Sequence, residues 1–251
     1  MRALGLTFNV LYGPTSVRQA LQQCEGFVTD GMRDRLVQGL ITCKVAQLRA
    51  MNGDFASART MYYQARGLLD DLGQSVHVAT TSFDLGMIEL LAGDAVAAER
   101  AVRPDYETLL AMGAKYLLAG MGSILARAVR AQGRDDEALE LTKAVEAVAS
   151  EDDVDAQVLW RGIRAPILAR SGQAAEAEAL ARVAHERASQ TEMPNLRGFA
   201  LTELASVLQL AGRLDEARAA MNDAIAIYSR KGDVASERRA TRLLAMMTRS
   251  V

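Results

Sequence analysis

The chain has 251 residues, half of them apolar and only 5% aromatic, with 29 lysines and arginines against 31 aspartates and glutamates. A net charge of −2 lacks the positive field of a bulk nucleic-acid or membrane-surface binder. The longest apolar runs, such as residues 88–92 with Glu89 inside them, are far too short to cross a bilayer.

The opening residues 1–6 carry one charge and no long apolar core, so no signal peptide is expected. Residues 3–12 read as the tail of a first helix, stopped by Gly13-Pro14, with Pro14 suited to the first turn of a second helix over 15–28. A turn near Gly31 leads into a helix over 32–51, and a partner follows over 54–72. Asp54, and later Asp94, directly follow a glycine and are placed to cap the helix that comes next. Ser75 is a candidate cap for the next helix, whose partner contains Pro104 and is expected to kink or split there. A third pair covers 114–149. Glu151-Asp152-Asp153 then opens a helix containing Gly162 and Pro166, read as a tolerated bend. Pro194 opens the fifth pair at a first-turn position. A last helix over 233–249 has Ala240, Leu243, Leu244 and Met247 on one side and Arg238, Arg239 and Arg242 on the other. Cys24 and Cys43 fall on adjacent helices with neither metal-ligand nor redox spacing, so free thiols and a cytoplasmic location are expected.

One spacing runs through these elements. Gly53, Gly93, Gly133, Gly172 and Gly212 lie 40, 40, 39 and 40 residues apart, and each is followed five residues later by an alanine: Ala58, Ala98, Ala138, Ala177 and Ala217. Gly73, Gly113 and Gly232 mark the half-way point of three units, while Asp153 and Glu192 hold that place in the other two. Such a period means a repeat array in which each unit buries its apolar face against its neighbours. The expected fold is all-α, a right-handed superhelical solenoid of antiparallel helix pairs with 12–13 helices. Residues 1–30 form a partial repeat, 31–232 five helix pairs and 233–251 a capping helix, all in one domain over 1–251.

Seven residues before each turn glycine stand Ala46, Gly86, Ala126, Ala165 and Ala205, the small residues that close approach of two helices requires. This pattern resembles tetratricopeptide repeats over nearly the whole chain. The period is longer than the usual 34 residues, and most aromatic and proline landmarks of that motif are missing. A narrower resemblance rests on Tyr12-Gly13-Pro14-Thr15, on Leu90-Leu91-Ala92-Gly93-Asp94 and on residues 152–161, which end in Trp160-Arg161. Asn195-Leu196-Arg197-Gly198 and Arg230-Lys231-Gly232 fit it as well. These stretches look like the C-terminal helical-repeat region of large bacterial signalling ATPases, proteins that often carry a class III nucleotide cyclase or helix-turn-helix domain elsewhere. The chain has no GxxxxGK[ST] phosphate loop, so any such activity belongs to other domains.

No catalytic constellation is visible. His77 and His185 are the only histidines and lack carboxylates or cysteines at ligand spacing; the pairs Asp70-Asp71, Asp135-Asp136 and Asp152-Asp153 sit at helix ends, where dipole and solvation roles dominate. A non-enzyme without cofactor or metal is expected. The candidate binding surface is the concave wall formed by the first helix of each pair, at positions ten, six and three before the turn glycine. These are Ser123, Arg127 and Arg130 in the third unit and Thr202, Ser206 and Gln209 in the fifth. Phe83, Met87 and Leu90 are their counterparts in the second. The fourth unit adds Gln157, Trp160, Arg161 and Arg164, and the fifth Arg197. A flat aromatic beside guanidinium groups suits an acidic or amphipathic peptide. The alternative has Trp160 packed between units and its arginines solvated or paired with glutamates. The expectation is a protein- or peptide-binding regulatory scaffold, with small-molecule sensing or homodimerisation through an end helix as alternatives.

Overall fold

A computed structural model describes residues 2–29 and 34–249 and shows thirteen helices and no strand among them. They are α1 (Arg2–Tyr12), α2 (Val17–Thr29), α3 (Arg35–Met51), α4 (Phe55–Asp71), α5 (Ser75–Ala92), α6 (Ala95–Ala111), α7 (Lys115–Ala131), α8 (Asp135–Val148), α9 (Val154–Arg170), α10 (Ala174–Ser189), α11 (Pro194–Leu210), α12 (Leu214–Lys231) and α13 (Val234–Arg249). The predicted turn at Gly31 and helix start at Met32 lie outside the described residues.

The repeat glycines end helices. At Gly212, φ is +76°, its N–H donates to the Gln209 carbonyl at 3.0 Å, and the Arg213 N–H reaches back to Leu208 at 2.9 Å. That is the double bond of a left-handed helix stop, which a residue with a Cβ adopts only under strain. Among the described residues, the glycines with positive φ are the eight repeat and half-repeat markers. The alanines five residues on are fully buried, as are Ala46, Ala126, Ala165 and Ala205. At Gly86 a Cβ would fall 2.5 Å from Val102 and 2.7 Å from Ile124, so α5 approaches both neighbours on a bare backbone.

Local differences from the sequence reading have physical causes. Pro104 neither splits α6 nor shortens it. The ring removes one donor, to the Arg100 carbonyl, while buried Val102 and Tyr106 clamp the helix on either side of it. Pro14 lies before α2 rather than in its first turn, and Ser16 takes the cap with the Gln19 N–H at 3.4 Å. Ser75 is the first helical residue, with Gln74 at the cap. Asp54 and Asp94 cap as expected, and Asp153 caps α9, each accepting from the N–H three residues on. Glycine at 162 answers to α11 more than to Pro166, because a Cβ there would meet the Phe199 ring at 2.7 Å. The 39-residue spacing is absorbed by α8, which has 14 residues where α4 and α6 have 17.

Each odd-numbered helix from α1 to α9 packs against the next odd-numbered one, whereas the even-numbered helices have no comparable contacts with one another. The odd helices therefore form the inner wall of the solenoid and the even ones its outer face. Salt bridges lace the outer turns between units. Arg134, just after its turn glycine, joins Glu99 of the preceding unit and Glu137 of its own, and Arg213 repeats the pattern with Glu178 and Glu216.

The array also closes on itself. α13 lies against α3 and α5, two helices from the other end of the chain. Lys231, almost fully buried, donates from Nζ to the carbonyls of Val10 (2.9 Å), near the end of α1, and of Gly13 (2.7 Å) and Thr15 (2.7 Å) in the α1–α2 turn. Next to it, buried Asp233 accepts from the Asn195 amide at 2.6 Å and from the Ser236 N–H.

Candidate functional site

Closure divides the concave side into two regions. One is occupied by α13 and leaves a cavity of about 100 Å³ between α5, α7, α11 and α12. Arg130 crosses it to pair with Glu203 through both nitrogens, at 2.7 and 2.5 Å. Arg127 lies 5.1 Å over the Phe199 ring and 3.5 Å from Met87 Sδ. Burial and the nearby Arg239 lower the Arg127 pKa to about 10, which leaves it charged at neutral pH.

The other region is open. Five inner helices, α1, α3, α5, α7 and α9, surround a cavity of about 520 Å³. Its walls are mostly apolar: Phe8, Leu40, Val76, Phe83, Leu117, Met121 and Leu159. At its floor Lys44 Nζ meets Asp84 Oδ1 at 2.6 Å, and the Gln47 amide donates to the same carboxylate oxygen. Burial opposes the Lys44 charge, but Asp84 outweighs it and holds the ammonium above the ordinary lysine range. The Phe8 and Phe83 ring centres stand 4.9 and 5.7 Å from that ammonium. At the α9 side stand Asp153, engaged as the helix cap, and Asp155. Asp155 opens onto the solvent of the cavity, yet its enclosure and the neighbouring Asp153 push its pKa up to about 6.

The candidate residues read from the sequence fall into separate places. Arg127, Arg130 and Thr202 line the region around α13, with the Thr202 hydroxyl donating to the Gly198 carbonyl at 2.8 Å. Ser123 is fully buried and donates to the Ala119 carbonyl. Trp160 is 4% exposed and packs among Ala119, Val145, Val148 and Leu180, between repeats. Its indole N–H donates to Gln157 Oε1 at 3.3 Å, and the guanidinium groups of Arg161 and Arg164 lie 4.1 and 4.3 Å from its ring. Arg164 is also paired with Glu146 at 2.7 Å, and the buried Gln157 amide donates to the Ser150 carbonyl. Arg197 is half-buried and close enough to help lower the His185 pKa, after burial, which places it on the α10 side of α11. Gln209 is half-buried near the end of α11.

The open cavity is built chiefly from residues the sequence reading did not single out. One signal was available: Lys44 and Asp84 stand nine residues before successive turn glycines, a place held by isoleucine at Ile124 and Ile163. Opposite charges at one repeat position in adjacent units are neighbours on the inner wall. Phe8, Tyr12 and Asp155 carried no such mark.

No protein-family model matches the chain, and no curated protein sequence matches it. Solved structures do. The chain is similar to NprR in complex with its cognate peptide NprX, at TM-score 0.70 and 13% identity over 98% of this chain and 71% of that one. It is also similar to a Rap protein complexed with Competence and Sporulation Factor, at TM-score 0.57 and 12% identity over 98% and 86%. A third similarity is to the nearly identical tetratricopeptide-like repeats of a putative kinesin light chain from Podospora anserina, at TM-score 0.53 and 20% identity over 78% and 97%. The fold is a tetratricopeptide-like helical solenoid.

Proposed function

We propose that the protein is a non-enzymatic regulatory module that holds a peptide or protein segment in the open cavity of its inner wall. The observation that carries this reading is the cavity itself, with apolar walls from five consecutive inner helices and a neutralised ion pair at its floor. Two proteins of the same fold, NprR and Rap, are each in complex with a peptide or factor, which supports a peptide as occupant here. The resemblance to the repeat region of bacterial signalling ATPases supports a role beside catalytic domains carried elsewhere, and Cys24 and Cys43, both buried and neither in a disulfide, fit a reducing cytoplasm.

An acidic partner would need guanidinium groups free of other bonds. Arg130 and Arg164 are paired with Glu203 and Glu146, and Arg161 lies on Trp160, so the proposal carries no acidic preference. Nor does it extend to dimerisation through α13, whose apolar residues Ala240 and Met247 are buried against the preceding repeat.

Photo-crosslinking residues placed at Leu117 and Leu159 should capture a partner from cell extract, while the same groups at exposed Val96 and Leu110 on the outer helix α6 should not. Capture only from α6 would overturn the assignment. A second reading, small-molecule sensing, is favoured by the cavity volume of about 520 Å³, which lies within the range of small-ligand pockets. A ligand at a hundred times its dissociation constant should then raise the unfolding free energy by about 2.7 kcal/mol.

A further inference from the structure

The charges around the open cavity do not balance. Tyr12 on α1, Lys44 on α3, His77 and Asp84 on α5, and Asp153 and Asp155 on α9 are the titratable groups that line it. Lys44 and Asp84 neutralise each other at 2.6 Å. Among the described residues that line the cavity, that leaves two carboxylates and no compensating cation. Asp153 has a structural task, accepting the Ala156 N–H at 3.0 Å. Asp155, the second residue of α9, has none: no hydrogen-bond donor or cation among the described residues reaches its carboxylate. A helix N-terminus favours a negative charge, yet enclosure and Asp153 together push this carboxyl up to about 6. It is an uncompensated charge held at the edge of an apolar chamber.

Resting on the reading of this cavity as a peptide site, we infer that the bound segment presents a basic side chain between apolar ones, its cation against Asp155 and Asp153 and its flanks against Phe8, Phe83, Leu117 and Leu159. Opposite charge within a walled cavity is screened less than at an open surface. The apolar walls bind the flanks without regard to sign, and Asp155 selects among segments that would otherwise fit equally.

Fluorescence polarisation with pools of labelled heptapeptides tests this. The pools share degenerate apolar flanks and differ only at the centre, which is arginine, its neutral isostere citrulline, or glutamate. The arginine pool should bind at least tenfold more tightly than the other two. Asp155→Asn should remove that advantage and leave the citrulline pool unchanged, and Asp155→Lys should favour the glutamate pool. The arginine advantage should also shrink as pH falls from 7.5 to 5, because Asp155 takes up its proton near 6. His77 also lines the cavity, so this profile is measured in a His77→Gln background.

Folding provides the control. A carboxyl whose pKa is raised in the folded state opposes folding once it ionises, so Asp155→Asn should melt at or above the wild-type temperature at pH 7.5, a gain that fades at pH 4. Equal binding of the arginine and citrulline pools, or a preference for glutamate, would overturn the inference and leave peptide binding standing. Binding of no pool would overturn both.

Discussion

Lys44 and Asp84 show how a repeat position can be given a different chemistry in two units. Isoleucine fills that place in the third and fourth units, whereas here an ammonium and a carboxylate, both almost wholly buried, meet at 2.6 Å. Removing one partner strands the other charge, so Lys44→Met or Asp84→Leu alone should each cost about 3–5 kcal/mol in denaturant unfolding. The double replacement should cost much less than the sum, since an apolar pair of similar volume needs no solvation. Additive losses would mean that the two side chains act apart. The same scale separates Trp160 from the function its composition suggested. An aromatic flanked by arginines reads as a recognition site in sequence, but the same residues can satisfy one another, and Gln157, Arg161 and Arg164 do so around the indole.

Helix contacts depend on small residues at fixed places. Ala138 and Ala217 sit at the same distance from their turn glycines and have no exposed surface. Leucine at either should overpack α8 or α12 against its partner and lower stability by about 1–3 kcal/mol, measured by urea unfolding; unchanged midpoints for both would undermine the repeat register. Helix boundaries followed turn chemistry closely where glycine or a capping aspartate marked them, as at Gly53-Asp54 and Gly93-Asp94. They were less legible where proline stood alone. Pro104 is a strong local breaker, yet α6 runs through it: the ring lies at the exposed surface, and burial of Val102 and Tyr106, one turn apart, outweighs one lost hydrogen bond.

Closure belongs to the whole molecule. Each pair rotates slightly relative to the last, and over five pairs the rotation brings α13 beside α3 and the end of α12 to the α1–α2 turn. Lys231→Met would leave the carbonyls of Val10, Gly13 and Thr15 without this donor. The expected loss is about 1–3 kcal/mol, with faster amide exchange at residues 17–20 and at 233–237 and little change in the central repeats. Uniform exchange along the chain would show that the ends are not coupled through this contact.

The amino-acid sequence by itself determined the all-helical repeat, its register and the inner helix of each pair. These are local properties: a left-handed stop favours glycine, and a close crossing needs alanine or glycine, wherever the unit stands in the chain. The tertiary structure alone decided which part of the inner wall remains open. Arg130 reaches Glu203 across 73 residues, and Lys231 reaches Val10 across 221. Such meetings arise from the summed curvature of the stack, and no periodic signal records them. For that reason Arg130, a candidate groove residue in sequence, is paired with Glu203, while the uncompensated charge rests on Asp155, a residue that in sequence is one more acid near a helix start.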